Sequence, residues 1–187
     1  MLHALKSHPL KKVIVVSSTR VYGESAGERV DDDTCPQPSD AQGQVLLNME
    51  TLWQQAYPSE CVIVRPTGIY GTSVSRMIKL AGTTKAYPRL HWSNRIHVED
   101  LAAFLVHLLH VEHAEKSYIC SNSQPLPLHE IMQWFQQQLG FPALVLESNM
   151  TSGKQIYASR MQQMNFELQH PHCFDDYLAL LAERESK

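Results

Sequence analysis

Two short aliphatic runs stand out along the chain, KVIVVS at Lys12–Ser17 and CVIVR at Cys61–Arg65. Neither alternates with polar residues, so each predicts a strand covered on both faces, as in a parallel sheet. Between them Val45, Leu46, Met49, Leu52, Trp53 and Ala56 recur at three- and four-residue steps. That spacing predicts a helix over Ala41–Tyr57 with one buried face, stopped by Pro58. Strand, helix and strand in this order predict a βαβ unit with parallel pairing. Residues 18–40 are polar and carry Gly23, Gly27, Pro36 and Pro38. They predict a long loop, a kind of segment that is usually functional inside a compact domain.

Downstream, Ser73–Leu80 predicts a short helix. Val98–His113 predicts a longer one, with Leu101, Leu105, Leu108 and Leu109 on one face. Glu99 and Asp100 in its first turn suit the helix dipole. Ser117–Cys120 predicts a third short strand, and Leu128–Leu139 an amphipathic helix closed by Gly140 at the C-cap. Phe174–Ala182 predicts a terminal helix. No internal repeat or low-complexity segment is visible.

Composition narrows the function classes. The chain has 187 residues, 43% hydrophobic and 19% charged, which is a globular balance large enough for a sizeable core. A net charge of −3 without a basic stripe argues against nucleic acid as a partner. Cysteines at 35, 61, 120 and 173 form no CxxC, which points to reduced thiols in a cytoplasm and away from zinc. The start, MLHALKSHPLKK, lacks the order of a signal peptide, and no segment has the ~20 apolar residues of a membrane span. The expectation is a soluble cytoplasmic protein with no membrane partner.

Three strings, in order, carry a family resemblance. VVSSTRVYG at Val15–Gly23 resembles the end of the fifth strand of extended short-chain dehydrogenases/reductases. VIVRPTGIYG at Val62–Gly71 resembles their RPxxxYG motif, and NRIHVEDLA at Asn94–Ala102 their IHVDDLA motif. YICSNSQPLPLHEIMQWFQQQLG resembles the last parallel strand, turn and helix of that superfamily. GKQIYASRMQQMNFELQHP resembles the terminal segment of nucleoside-diphosphate-sugar epimerase-like members. The chain thus resembles the NAD-dependent epimerase/dehydratase branch. The resemblance implies an α/β fold: a partial Rossmann-like parallel sheet, later strands only, with a small C-terminal α+β substrate lobe. It assigns 1–66 and 98–122 to the NAD(P)-binding remnant, and 67–97 and 123–187 to the substrate-binding-type lobe. Met1 fits an internal methionine of the helix before the fifth strand, so either a truncated gene product or a misplaced start is expected.

The resemblance also implies functional residues. Ser18 matches the catalytic Ser/Thr that hydrogen-bonds the reacting hydroxyl. Pro66 and Thr67 match the turn that covers the nicotinamide, while Thr19, Gly68 and Arg95 fall at substrate-side positions. Relatives bind NAD or NADP through a GxxGxxG turn, whose glycines admit the pyrophosphate at a helix N-terminus. The eight glycines of this chain form no such pattern. Aligning on Glu50 puts Gln42 at the catalytic Tyr position and Leu46 at the Lys position. General acid/base catalysis is worth about 10² to 10⁴-fold, so the expectation is an isolated chain without catalysis or NAD(P) binding. The alternatives are a non-catalytic binding or regulatory module, or one half of a split enzyme. Either would self-associate or dock a partner chain through an exposed sheet edge. The substrate in complete relatives is a nucleotide sugar or small hydroxyl compound. Asp31, Asp32 and Asp33 are expected to be a solvated charge run. No metal site is expected, His170 and His172 being too few for zinc. Tyr22 and His97 are expected to pack and not to react.

Overall fold

The computed structural model describes residues 10–185, so the N-terminal stretch MLHALKSHP lies outside the described residues. In chain order the elements are β1 (Val13–Val16), a 3-10 turn (Thr19–Val21), β2 (Ala26–Val30), α1 (Ala41–Ala56), β3 (Cys61–Pro66), β4 (Gly68–Tyr70) and α2 (Ser75–Thr83). Then come β5 (Ala86–Tyr87), β6 (Leu90–Ser93), β7 (Arg95–His97), α3 (Val98–His110), β8 (Ser117–Cys120), β9 (Leu126–Pro127) and α4 (Leu128–Leu139). The chain closes with β10 (Val145–Leu146), β11 (Thr151–Ile156), α5 (Ser159–Gln163) and α6 (Cys173–Glu185).

The two aliphatic runs pair as expected. β1, β3 and β8 form a parallel sheet in the order β1-β3-β8, with Val13 opposite Cys61 and Ile63 opposite Ser117. One face buries Val15, Cys61 and Ile63 against Met49, Trp53 and Tyr57 in and after α1. The other buries Val62, Val64 and Tyr118 against Leu101, Phe104 and Leu108 of α3. Each helix starts where a side chain caps it: the Asp40 carboxylate accepts from Gly43 N at 2.8 Å, and His97 Nδ1 accepts from Glu99 N. Lys12 Nζ donates to the carbonyls of Leu108 and Val111 at the end of α3.

Residues 18–40 are not a plain loop. They contain the 3-10 turn and β2, which joins a second sheet of order β2-β11-β6-β9. β11 runs parallel to both β2 and β6. Val30 of β2 and Ile156 of β11 join the first sheet's core, while Ile131, Phe135, Tyr177 and Leu181 form a separate cluster. A further correction concerns Asp32, which is buried and not solvated. Its carboxylate accepts from Ile119 N at 2.6 Å, Ser159 Oγ at 3.0 Å and Arg160 N at 2.9 Å. Asp33 beside it stays exposed and meets Arg160. The four cysteines are free thiols, Cys35 exposed and the others buried. No described helix is long and apolar enough to cross a membrane.

Candidate functional site

The C-terminal ends of β1 and β3 open into a cleft of about 580 Å³. Ligands bind at this end of open α/β sheets. Ser18, Thr19, Thr67 and Gly68 line the sheet side, and His91, Trp92, Asn94, Gly153 and Lys154 line the side built by the second sheet. Four of the expected site residues therefore converge. Ser18 Oγ accepts from Arg20 N at 3.2 Å and so starts the 3-10 turn. Thr19 Oγ1 donates to Pro66 O at 3.3 Å, and Thr67 N and Oγ1 both donate to Cys120 O. These bonds tie the three strand ends together.

Two expected residues sit apart. Pro66 is buried beneath the cleft and contributes its carbonyl to Thr19. Arg95 is buried, with Nε on Tyr177 Oη at 2.7 Å and Nη1 on Ser93 Oγ at 2.8 Å. It lines a neighbouring hollow of about 290 Å³ with Gly68, Tyr70, Arg76 and Tyr177.

The helix positions that carry Tyr and Lys in the resembled family lie elsewhere again. Gln42 and Leu46 line an open apolar groove with Arg20, Ala41 and Val45. Glu50, on the same helix, is buried and holds Arg65, Nη2 to Oε2 at 2.7 Å and Nε to Oε1 at 3.1 Å. Arg65 Nη1 also donates to Tyr22 Oη at 2.8 Å, and burial raises the Tyr22 pKa despite that cation. Tyr22 is a packed partner of the ion pair, with no face toward the cleft.

The second-sheet side supplies nitrogen groups that sequence reasoning missed. Lys154 is half-buried, burial lowers its pKa, and Nζ donates to Tyr22 O. The Asn94 carboxamide fixes β11 on both sides of it: Nδ2 donates to Lys154 O at 2.9 Å, and Oδ1 accepts from Ile156 N at 2.8 Å. His91 Nδ1 lies 3.0 Å from Ser152 Oγ. No sequence signal marks these residues, because β6 and β11 meet only in the folded chain.

The described residues do not make a whole dinucleotide site. No described turn combines a glycine-rich spacing with a free helix N-terminus. The first turn of α1 is already occupied by the Asp40 carboxylate, and α3 begins with Glu99 and Asp100, which oppose a phosphate.

His97, Glu99 and His170 bring ligand-type atoms within 4.8 Å of one another. The two rings stack at 3.6 Å and 20°, so their in-plane lone pairs run side by side and do not converge on one ion. Both His170 nitrogens face carboxylates, Asp176 at 2.6 Å and Glu99 at 3.2 Å. The cluster ties Glu99 of α3 and Asp176 of α6 together through His170.

Comparison with known proteins matches the model of the NAD dependent epimerase/dehydratase family to residues 1–120. The chain is 30% identical over 174 residues to Protein YeeZ of Escherichia coli K12, covering 88% of this chain and 61% of that protein. It thus spans about three-fifths of the length of the curated relatives it matches. A solved structure from Methylobacillus flagellatus, provisionally named an NAD-dependent epimerase/dehydratase, superposes with a TM-score of 0.86 at 36% identity. That match covers 98% of this chain and 68% of that one. The dTDP-glucose 4,6-dehydratase of Bacillus anthracis Ames, solved in complex with NAD, shares the fold at a TM-score of 0.78 and 17% identity, over 99% of this chain and 66% of that one.

Proposed function

The chain belongs to the NAD-dependent epimerase/dehydratase family, and on that premise we propose that it is the substrate-side portion of an NAD(P)-dependent epimerase/dehydratase-like oxidoreductase. The ligand of its cleft is a nucleotide sugar or a comparable polyhydroxylated molecule. The observation that carries this reading is the convergence of Ser18, Thr19, Thr67 and Gly68 at the carboxyl ends of β1 and β3. Ser18 hydrogen-bonds the reacting hydroxyl. Thr67, with Pro66 beneath it, borders the nicotinamide, which supplies hydride exchange when bound. Thr19 and Gly68 border the substrate, and Arg95 shapes the adjoining hollow. In this reading 1–66 and 98–122 form the cofactor side, and 67–97 and 123–187 the substrate side. The protein works in the cytoplasm.

The isolated chain does not turn over and does not hold NAD(P), since nothing among the described residues cradles the pyrophosphate. Calorimetric titration of NAD and NADP into the chain is expected to give no measurable heat. Co-expression with a separate chain carrying a GxxGxxG turn is expected to restore binding. Micromolar affinity in the isolated chain overturns the proposal.

The outer edge of β1, which no described strand meets, favours a second reading, a non-catalytic module that docks through that edge. A stable homodimer without nucleotide supports the module. Co-purification with a chain bearing GxxGxxG supports a split enzyme.

A further inference from the structure

We infer that Lys154 sets the specificity of the cleft, and that the ligand it selects carries a carboxylate on the sugar itself, as a uronic acid does. This deepens the proposed function and rests on the cleft being a site for a polyhydroxylated ligand.

The strand is shaped to deliver this side chain. The register of β11 on β2 shifts between Gly153 and Lys154, leaving Gly27 of β2 as the extra residue. Gly27 and Gly153 both take positive φ, +94° and +73°, and such a shift re-aims the side chains beside it. A Cβ on Gly153 would sit 2.5 Å from Trp92 O, so glycine also lets β11 close on β6 at this point. The Asn94 carboxamide then fixes the Lys154 carbonyl and the Ile156 amide. Lys154 lines the cleft with Nζ anchored on Tyr22 O. Among the described residues Nζ makes no other hydrogen bond, so two of the ammonium's donors remain.

The other charges of the cleft are already matched. Arg20 Nε meets both Asp40 oxygens, at 3.1 and 3.0 Å, and Asp40 also caps α1. Burial and Arg89 hold His91 below its ordinary pKa, so it is neutral at pH 7. Glu24, Asp40 and Glu28 act on Lys154 from a distance, yet no described carboxylate forms an ion pair with Nζ. Glu24, the foremost of them, keeps Oε2 buried without a hydrogen-bond partner among the described residues. Burial outweighs all three and lowers the Lys154 pKa: the ammonium has lost water without gaining an anion. A ligand carboxylate supplies that anion through charge-assisted hydrogen bonds. A phosphate fits less well. Phosphates are held by Arg forks or helix N-termini, and here Arg20 and the first turn of α1 both belong to Asp40. One compact ammonium in the same cleft as Ser18, Thr19 and Thr67 matches one carboxylate on a ring of hydroxyls.

UDP-glucuronic acid and UDP-glucose differ only in a carboxylate for a hydroxymethyl group, and NMR titration of the isolated chain with this pair tests the inference. Both are expected to move the Thr67 and Gly68 amides, the acid with a Kd about ten-fold lower, the lower end for one charge-assisted hydrogen bond. Lys154→Met is expected to make the two affinities equal, and Lys154→Arg to keep most of the preference. In the wild-type chain the Lys154 ammonium pKa, read from its Cε shift, is expected to rise with UDP-glucuronic acid and less with UDP-glucose, a readout that stands even where a variant fails to fold. Equal affinities in the wild-type chain, or a Lys154→Met loss shared by both ligands, overturns the assignment of Lys154 and leaves the cleft reading standing. If neither ligand moves those amides, the cleft reading falls, and this assignment falls with it.

Discussion

The parallel sheet has two borders, and they differ in kind. At β8 the outward-facing amide of Ile119 is captured by Asp32 at 2.6 Å, and Asn122 N is held by Arg95 O at 2.9 Å. The sheet ends there with its backbone satisfied by a buried carboxylate and a neighbouring strand. At β1 the amides of Val13 and Ser17 bond to Glu60 O and Val64 O of the β3 side. Strand alternation turns the amides of Ile14 and Val16 the other way, where no described strand meets them. Val16 is 46% exposed, and Ser17 Oγ is buried without a partner among the described residues. One border has its backbone groups taken up by a buried carboxylate and a neighbouring strand, and the other leaves the amides of Ile14 and Val16 without a described strand.

The largest expected effect comes from unsealing the finished border. Asp32→Ala removes three hydrogen bonds from a buried carboxylate and leaves the Ile119 amide unpaired. A loss of about 3 kcal/mol in urea unfolding is expected, with a fall in Tm of roughly 10 °C. A loss under a third of that would mean that water satisfies the edge.

A smaller, pH-dependent effect is expected at the clasp behind β8, where the Asp100 carboxylate accepts from Gln169 N and His170 N. Burial opposes a charged His170, but Asp176 and Glu99 outweigh it and raise its pKa. The stabilisation is therefore fully present below the unfolded value of about 6.5 and is lost as pH rises through the raised folded value. His170→Asn should cost most stability in acid and least at alkaline pH, measured as the wild-type minus variant difference across pH. A flat difference would remove the ionic contribution.

The smallest effect is expected at the open border. Val16→Lys should change stability by no more than about 0.5 kcal/mol, while reducing self-association in sedimentation, because a charge blunts a free edge. A loss comparable to Asp32→Ala would show that this border is closed after all.

What the sequence made legible follows the density of local signal. β1 and β3 are aliphatic runs, β3 buried throughout, and α1, α3 and α4 carry a 3.6-residue period. Each announces itself within its own segment. The second sheet does not. AGERV, LHWS and TSGKQI are short, polar and glycine-bearing, and their pairing joins β2 to β11 across most of the chain. Ser18, Thr19, Thr67 and Gly68 were reachable because motifs fix them at strand ends. His91 and Ser152 stand 61 positions apart, and only the register of β6 on β11 joins them. Asp32 was misread because three adjacent carboxylates look alike in sequence, while the strand that precedes them aims only the middle one inward.

The Asn94 carboxamide imitates a peptide unit, offering one donor and one acceptor to β11 where a neighbouring strand would. A rung made from a side chain stitches the turn before β7 to the far rim of the cleft. The two walls are thereby coupled: prying the rim outward requires breaking the Ile156 amide bond as well. Hydrogen exchange at Ile156 should accordingly be as slow as in the central sheet, and the mouth of the cleft behaves as a rigid frame instead of a hinged flap.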